Sequence, residues 1–189
     1  MDFPKKIITD RLILQLPQKP TFKLAEELYK VADSSRESIL KWLPWPEKTN
    51  SPEDEFNYLQ NWVNKNRIEK KGYAYILREA KSKQIIGVLD FLHVDKDNRS
   101  GEIGYWLATS AVGNGYISEA LQALERVIFD LGFNRIVIRN DTRNTRSVNV
   151  AKRAGYHLDG IMRQVRWLPK ENLFTDINIW SKIKDDLHN

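Results

Sequence analysis

The segment SAVGNGYISEA, residues 110–120, most constrains how this chain can fold. Gly113 and Gly115 bracket Asn114, and behind them Ile117, Ala120, Leu121, Leu124, Ile128 and Leu131 recur at spacings of three and four. That is the clearest amphipathic helix in the chain. EIGYWLAT, just upstream, reads as a strand, and GFNRIVIRN, just downstream, ends the helix and starts another. A strand–helix–strand run of this kind belongs to an α/β or α+β domain.

The glycines admit two readings. One is a plain turn that the chain needs before the helix. The other is chemical. Glycine lets the backbone approach a ligand closely or adopt a positive φ. Successive N–H groups in such a loop form an anion-binding nest, and the helix behind them adds the positive end of its dipole. The second reading makes the loop a phosphate cradle that needs no lysine.

The rest of the chain fits the same class. RLILQL reads as a first strand with Leu12, Leu14 and Leu16 on one face. Residues 21–43 read as one or two helices broken near Asp33–Ser35. A proline-bearing loop leads to Ser51, a good N-cap, with Pro52 at the first helical position of a helix ending near Lys70. GYAYILREA and KQIIGVLDFLHV flank KSK as a hairpin. NTRSVNVAKRAGY is a short helix capped by Asn144 and stopped at Gly155, and two closing strands follow. The expected architecture is a single domain over residues 1–189, with a mixed sheet of about six or seven strands and flanking helices.

Several function classes drop out. The chain has no cysteine, so there is no disulfide frame, no thiolate nucleophile and no cysteine-based zinc site. His93, His157 and His188 stand far apart, and no metal site is expected. The glycine loop is not GxGxxG, and nothing matches GxxxxGK[ST]. The start, MDFPKKIITDRLIL, has no long apolar stretch, and no run nears the roughly 20 apolar residues of a membrane span. A cytoplasmic protein with no membrane partner is expected. The net charge of +5 is spread among acids, which favours a mixed solvated surface over a nucleic-acid site.

EIGYWL, GNGYISEAL, GFNRIVIRNDTRNTRSVNVAKRAGY and DGIMRQ, in this order, together resemble the GCN5-related N-acetyltransferases. More narrowly they resemble the ribosomal-protein N-terminal acetyltransferases of the RimJ/RimL type, which TDRLILQL and KWLPW also fit. The resemblance spans nearly the whole chain. It implies acetyl-CoA as donor, a direct attack by an amine, and two strands that splay to admit the pantetheine arm. Relatives of this type are often homodimers.

What the resemblance implies for single residues follows. The loop Val112, Gly113, Asn114, Gly115, Tyr116 and Ile117 would cradle the pyrophosphate. The family pattern places a Gln or Arg at Val112, a Gly at Gly115 and a small residue at Ile117, so only Gly115 matches strictly. Leu107 and Ala108 on one strand, and Arg139 and Asn140 on the other, would meet the pantetheine amides. Asn144 would hold the same arm, and Ser147 would be the acid beside the sulfur; otherwise Ser147 is an ordinary first-turn serine. Glu102 is the candidate base; otherwise it is a strand-edge carboxylate paired with a cation. Arg166 stands where relatives often carry a second acid, and an arginine cannot serve as a base; it would instead bind an acidic group of the acceptor, together with nearby Arg163, or else be an ordinary exposed strand residue. Asp176 either organises the acceptor site or is structural. Trp42 and Trp45 would wall the acceptor pocket or pack their loop on the core. Tyr105 and Trp106 lie on opposite strand faces, one toward the core and one toward the cleft.

The acceptor is expected to be the α-amine of a protein such as a ribosomal protein. The alternatives are a small-molecule amine, for example an antibiotic, a polyamine or an aminoacyl-nucleotide toxin, and a non-catalytic acyl-CoA-binding module.

Overall fold

The computed structural model describes residues 2–169 and 171–188. Eight strands form one sheet in the order β1-β2-β3-β4-β5-β6-β8-β7. They are β1 (Lys6–Ile8), β2 (Leu12–Gln15), β3 (Tyr73–Glu79), β4 (Ile85–Asp95), β5 (Ser100–Leu107), β6 (Arg135–Asp141), β7 (His157–Leu168) and β8 (Leu173–Ile183). The helices are α1 (Phe22–Asp33), α2 (Arg36–Leu40), α3 (Pro52–Glu69), α4 (Tyr116–Asp130) and α5 (Thr145–Arg153). The extra strand over the sequence expectation is β1, only three residues long and largely exposed, so its sequence carries no alternation to read.

Two apolar layers sandwich the sheet. Leu12, Leu14, Tyr75, Leu89, Phe91, Ile103 and Ile138 meet Leu121, Leu124 and Ile128 of α4 in the main core. Each such side chain contributes about 1.5–3 kcal/mol by leaving water. The opposite face carries Ile76 and Ile85, packed under Leu28 of α1 and Leu59 and Val63 of α3, with Trp106 and Val88 at its edge. The helix breaks fall where the sequence placed them: Ser34 ends α1, and Ser51 Oγ accepts from Asp54 N to cap α3.

All neighbouring strands run antiparallel except β5 and β6. Those two pair over residues 100–103 and 135–138 and then separate. Beyond that point β5 stays with β4, and β6 stays with β8. The gap this leaves positions the site.

Candidate active site

A cavity of about 1020 Å³ opens where β5 and β6 part. Leu107, Asn140, Ser147 and Val112 to Ser118, apart from Asn114, border it on the side of α4 and α5. Glu102, Trp106, Trp42 and Arg166 border it elsewhere.

At one end lies the glycine loop. Gly113 and Gly115 have φ of +90° and +76°, the left-handed region that glycine enters without a Cβ penalty. Gly115 is the N-cap of α4 and offers no side-chain acceptor, unlike Thr21, Ser51 and Asn144 at α1, α3 and α5. The first helical hydrogen bond is Glu119 N to Gly115 O, at 3.1 Å. The N–H groups of Tyr116, Ile117 and Ser118 precede it and point off the helix start. The loop is braced from outside by Arg11. Its Nη1 donates to Asn114 O at 2.9 Å, its Nε pairs with Glu119 Oε2 at 2.7 Å, and its guanidinium covers the Tyr116 ring at 5.0 Å. Asn114 itself turns away, its Nδ2 donating to Ala111 O, and Ala108 is buried beside the cavity without lining it.

The volume, the row of backbone donors and the splayed strands together fit an acyl-coenzyme A. The loop could supply donors to the anionic end, and the gap between the parted strand edges could take the elongated arm.

Where the slot narrows, a connected set of hydroxyl and amide groups appears. Ser147 Oγ lies 2.8 Å from Tyr105 Oη and receives Asn140 Nδ2 at 3.1 Å. Asn140 Oδ1 accepts from Asn178 Nδ2 at 3.0 Å and from Trp180 Nε1 at 3.3 Å. Burial pushes the Tyr105 phenol up to about 12, against smaller lowering effects of Ser147 and Arg153. Asn144 caps α5 by accepting from Ser147 N, which fixes the turn that carries the serine.

Glu102 faces the cavity from β5, and its Oε2 lies 3.3 Å from Arg139 Nε. The pairing expected of a strand-edge carboxylate is therefore present, but the carboxylate still borders the cavity. On the same face Asp90 stands opposite Gly104 in the β4–β5 register. Asp90 as a residue is part-buried, yet its Oδ1 is sealed from solvent and has no hydrogen-bond partner among the described residues. Burial pushes this carboxyl up to about 7.

Arg166 lines the cavity and donates from Nη1 to Trp42 O at 3.1 Å, tying β7 to the segment after α2. Asp176 is outside the cavity lining. Its Oδ1 accepts from Gln164 N at 2.7 Å, and Gln164 has φ of +51°, inside a register shift between Met162 and Arg166. Asp176 thus holds the bulge that presents Arg166. Trp42 borders the cavity, but Trp45 does not; it packs on Trp106 with ring centroids 5.7 Å apart. Arg163 is exposed and also outside the lining. Tyr105 and Trp106 do lie on opposite faces, one with each core cluster, and both reach the cavity.

The structure therefore gathers Glu102, Ser147, Asn140, Asn144, Leu107, Gly115, Trp42 and Arg166 around one space. Sequence reasoning missed Arg11, Asp90 and His93. His93 lines the cavity with φ of +50°, at a register shift between Leu92 and Asp95. Their signals are three-dimensional: a brace across the sheet, a sealed oxygen and a bulge.

The described residues contain no cluster of metal-ligating side chains and no helix long and apolar enough to cross a membrane. Residues 11–157 match the family described as the acetyltransferase (GNAT) domain. The chain is 33% identical over 159 residues to the ribosomal-protein-serine acetyltransferase of Escherichia coli K12, covering 84% of this chain and 86% of that one. Among solved structures it resembles the microcin C7 self-immunity acetyltransferase MccE in complex with acetyl-CoA and AMP, at a TM-score of 0.84 and 28% identity, covering 93% of each chain. It also resembles RimL, a ribosomal alpha-N-protein acetyltransferase, in complex with coenzyme A, at a TM-score of 0.86 and 25% identity, covering 95% of this chain and 98% of that one.

Proposed function

The chain belongs to the GNAT acetyltransferase family, and we propose that the amine it acetylates is the N-terminal α-amine of a protein, a ribosomal protein first among them, in the cytoplasm. The enzyme moves the acetyl group of acetyl-CoA to a primary amine. The observation that carries the acceptor reading is an open cavity that places Glu102 and Ser147 on one space, in a chain one-third identical to a ribosomal-protein-serine acetyltransferase.

Acetyl-CoA, when bound, supplies an activated thioester. The residues do the rest. Backbone N–H groups of the loop at Gly115 to Ser118 bind its phosphates, and the strand edges at Leu107 and Asn140 hold its amide arm. Glu102 takes the proton that the attacking ammonium must lose, directly or through a water. Ser147 donates its O–H to the departing sulfur. No covalent enzyme intermediate is required, in keeping with a chain without cysteine. Arg166 faces the acceptor and attracts a carboxylate near its amino end, while Trp42 and Trp106 wall the same space.

The aromatic wall also favours one second reading, a small amine linked to a planar base. The resemblance to a self-immunity acetyltransferase seen with AMP supports it. A thiol-release assay separates the two. The panel holds Ser- and Ala-starting peptides, acidic ribosomal tails, polyamines and an aminoacyl-sulfamoyl adenosine. Turnover on peptides with free α-amines is the expected result. Turnover confined to the nucleotide analogue overturns the protein reading, and acetyl-CoA binding without turnover on any amine overturns both.

A further inference from the structure

The hydrogen bonds behind Ser147 have a direction. Trp180 Nε1 is a donor only, so the atom of Asn140 that meets it must be the carbonyl oxygen. Asn178 Nδ2 donates to the same oxygen at 3.0 Å. The Trp180 N–H fixes the Asn140 amide, since a flip would set NH₂ against it, and the Asn178 amide is oriented to match. Asn140 is 5% exposed, although it borders the cavity. Nδ2 therefore faces Ser147, and Ser147 Oγ must accept from it at 3.1 Å.

A serine hydroxyl has one hydrogen and two acceptor positions. Asn140 fills one of these. Tyr105 Oη, 2.8 Å away, fills the other when it donates. Its raised pKa keeps the phenol protonated and available to do so. When Tyr105 is the donor of that pair, both acceptor positions are taken and the Ser147 hydrogen is left for the cavity.

We propose that Asn140 is a positioning residue: locked by Trp180 and Asn178, and acting together with Tyr105, it turns the Ser147 O–H toward the sulfur of coenzyme A. This rests on the reading of Ser147 as the partner of that sulfur. A hydrogen bond given to a thiolate stabilises it over the thiol, so the bound thiol becomes more acidic. No group beyond the chain and coenzyme A is needed. Ser147 keeps its hydrogen in this bond, and the thiolate takes its proton from solvent when coenzyme A leaves.

The test reads the bound thiol itself. Coenzyme A is titrated on the enzyme by the ultraviolet absorbance of its thiolate, for wild type, Ser147→Ala, Asn140→Asp, Tyr105→Phe and the double variant Ser147→Ala/Asn140→Asp. Asn140→Asp keeps the acceptor for Trp180 and Asn178 but offers Ser147 an oxygen in place of a donor. The expected result is that Ser147→Ala and Asn140→Asp each raise the thiol pKa by about one unit. Tyr105→Phe should raise it less, and the double variant no further than Ser147→Ala alone.

An unmoved thiol in Ser147→Ala overturns the reading of Ser147, and this inference with it. A moved thiol in Ser147→Ala with an unmoved one in Asn140→Asp overturns the role of Asn140 alone. A shift from Asn140→Asp that persists without Ser147 marks a plain charge effect and also overturns it. Should Asn140→Asp fail to fold, Tyr105→Phe carries the question: an unchanged titration there defeats the filled-acceptor arrangement.

Discussion

Glu102 and Arg139 face each other where β5 and β6 part, with Oε2 and Nε 3.3 Å apart. The last cross-strand partners are Ile103 and Ile138, so this ion pair closes the narrow end of the slot. The pair orients a carboxylate that borders the cavity, where we propose it meets the amine. Glu102→Gln keeps the shape and removes the proposed base. We expect kcat to fall by about 10²–10⁴-fold, with the KM for acetyl-CoA little changed. Steady-state kinetics on the best peptide checks this, and an unchanged kcat removes Glu102 from the chemistry.

The glycine loop makes a different demand. A Cβ at Gly115 would meet only Arg11 Nη2, at 3.7 Å, so space is not the obstacle. The obstacle is φ of +76°, which costs a β-branched residue about 1–2 kcal/mol or more. Gly115→Val should relieve this strain by turning the loop and re-aiming its N–H groups. Acetyl-CoA affinity should drop about tenfold or more, while the α4 core, anchored by Leu121 and Leu124, stays folded. Calorimetric titration with acetyl-CoA decides it; wild-type affinity would place the phosphates elsewhere.

Much of this site can be read in the sequence, and the reason is local. The helix at α4, the caps at Ser51 and Asn144 and the glycine turn are each set by residues within a few positions of one another. Their spacing therefore carries the signal. The family resemblance then brought Ser147 and Glu102 to the same place. What the sequence could not show was long-range. Arg11 braces a loop 103 residues away, and Arg166 reaches Trp42 across 124 residues. Trp42 and Trp45 looked equivalent in KWLPW, but a short 3-10 turn from Trp45 to Lys48 sends one to the cavity and the other onto Trp106. The strand β1 was invisible because three residues give no period to detect.

Arg166 offers a prediction on acceptor choice. One of its donors is held by Trp42 O, which fixes the guanidinium at the cavity wall and leaves others for an acceptor. Arg166→Ala should raise the KM for peptides with an acid near the amino end by about tenfold, as a charge-assisted hydrogen bond is lost. Peptides without an acid should lose little. Lys in place of Arg should restore only part of the preference, because it lacks the planar fork. Equal losses on both peptide classes would assign Arg166 to packing rather than recognition.

Asp90 ties the stability of the fold to pH. Its Oδ1 is sealed and has no partner among the described residues, and burial raises its pKa from an ordinary 3.8 to about 7. The folded state therefore holds a proton that the unfolded chain has released. Stability linked to this group is fully present below the unfolded value and is lost as pH rises through about 7. The shift corresponds to at most roughly 4 kcal/mol at pH above 7. Asp90→Asn cannot ionise, so its stability relative to wild type should grow between about pH 4 and pH 7 and then level off. Subtracting the two unfolding curves, pH by pH, cancels every other titrating group, including Glu55, which burial also raises to about 7. A difference that is the same at pH 4.5 and pH 8 would mean that Asp90 ionises in the folded protein as it does in water. It would then be a charged neighbour of Gly104 on the cavity floor rather than a neutral one.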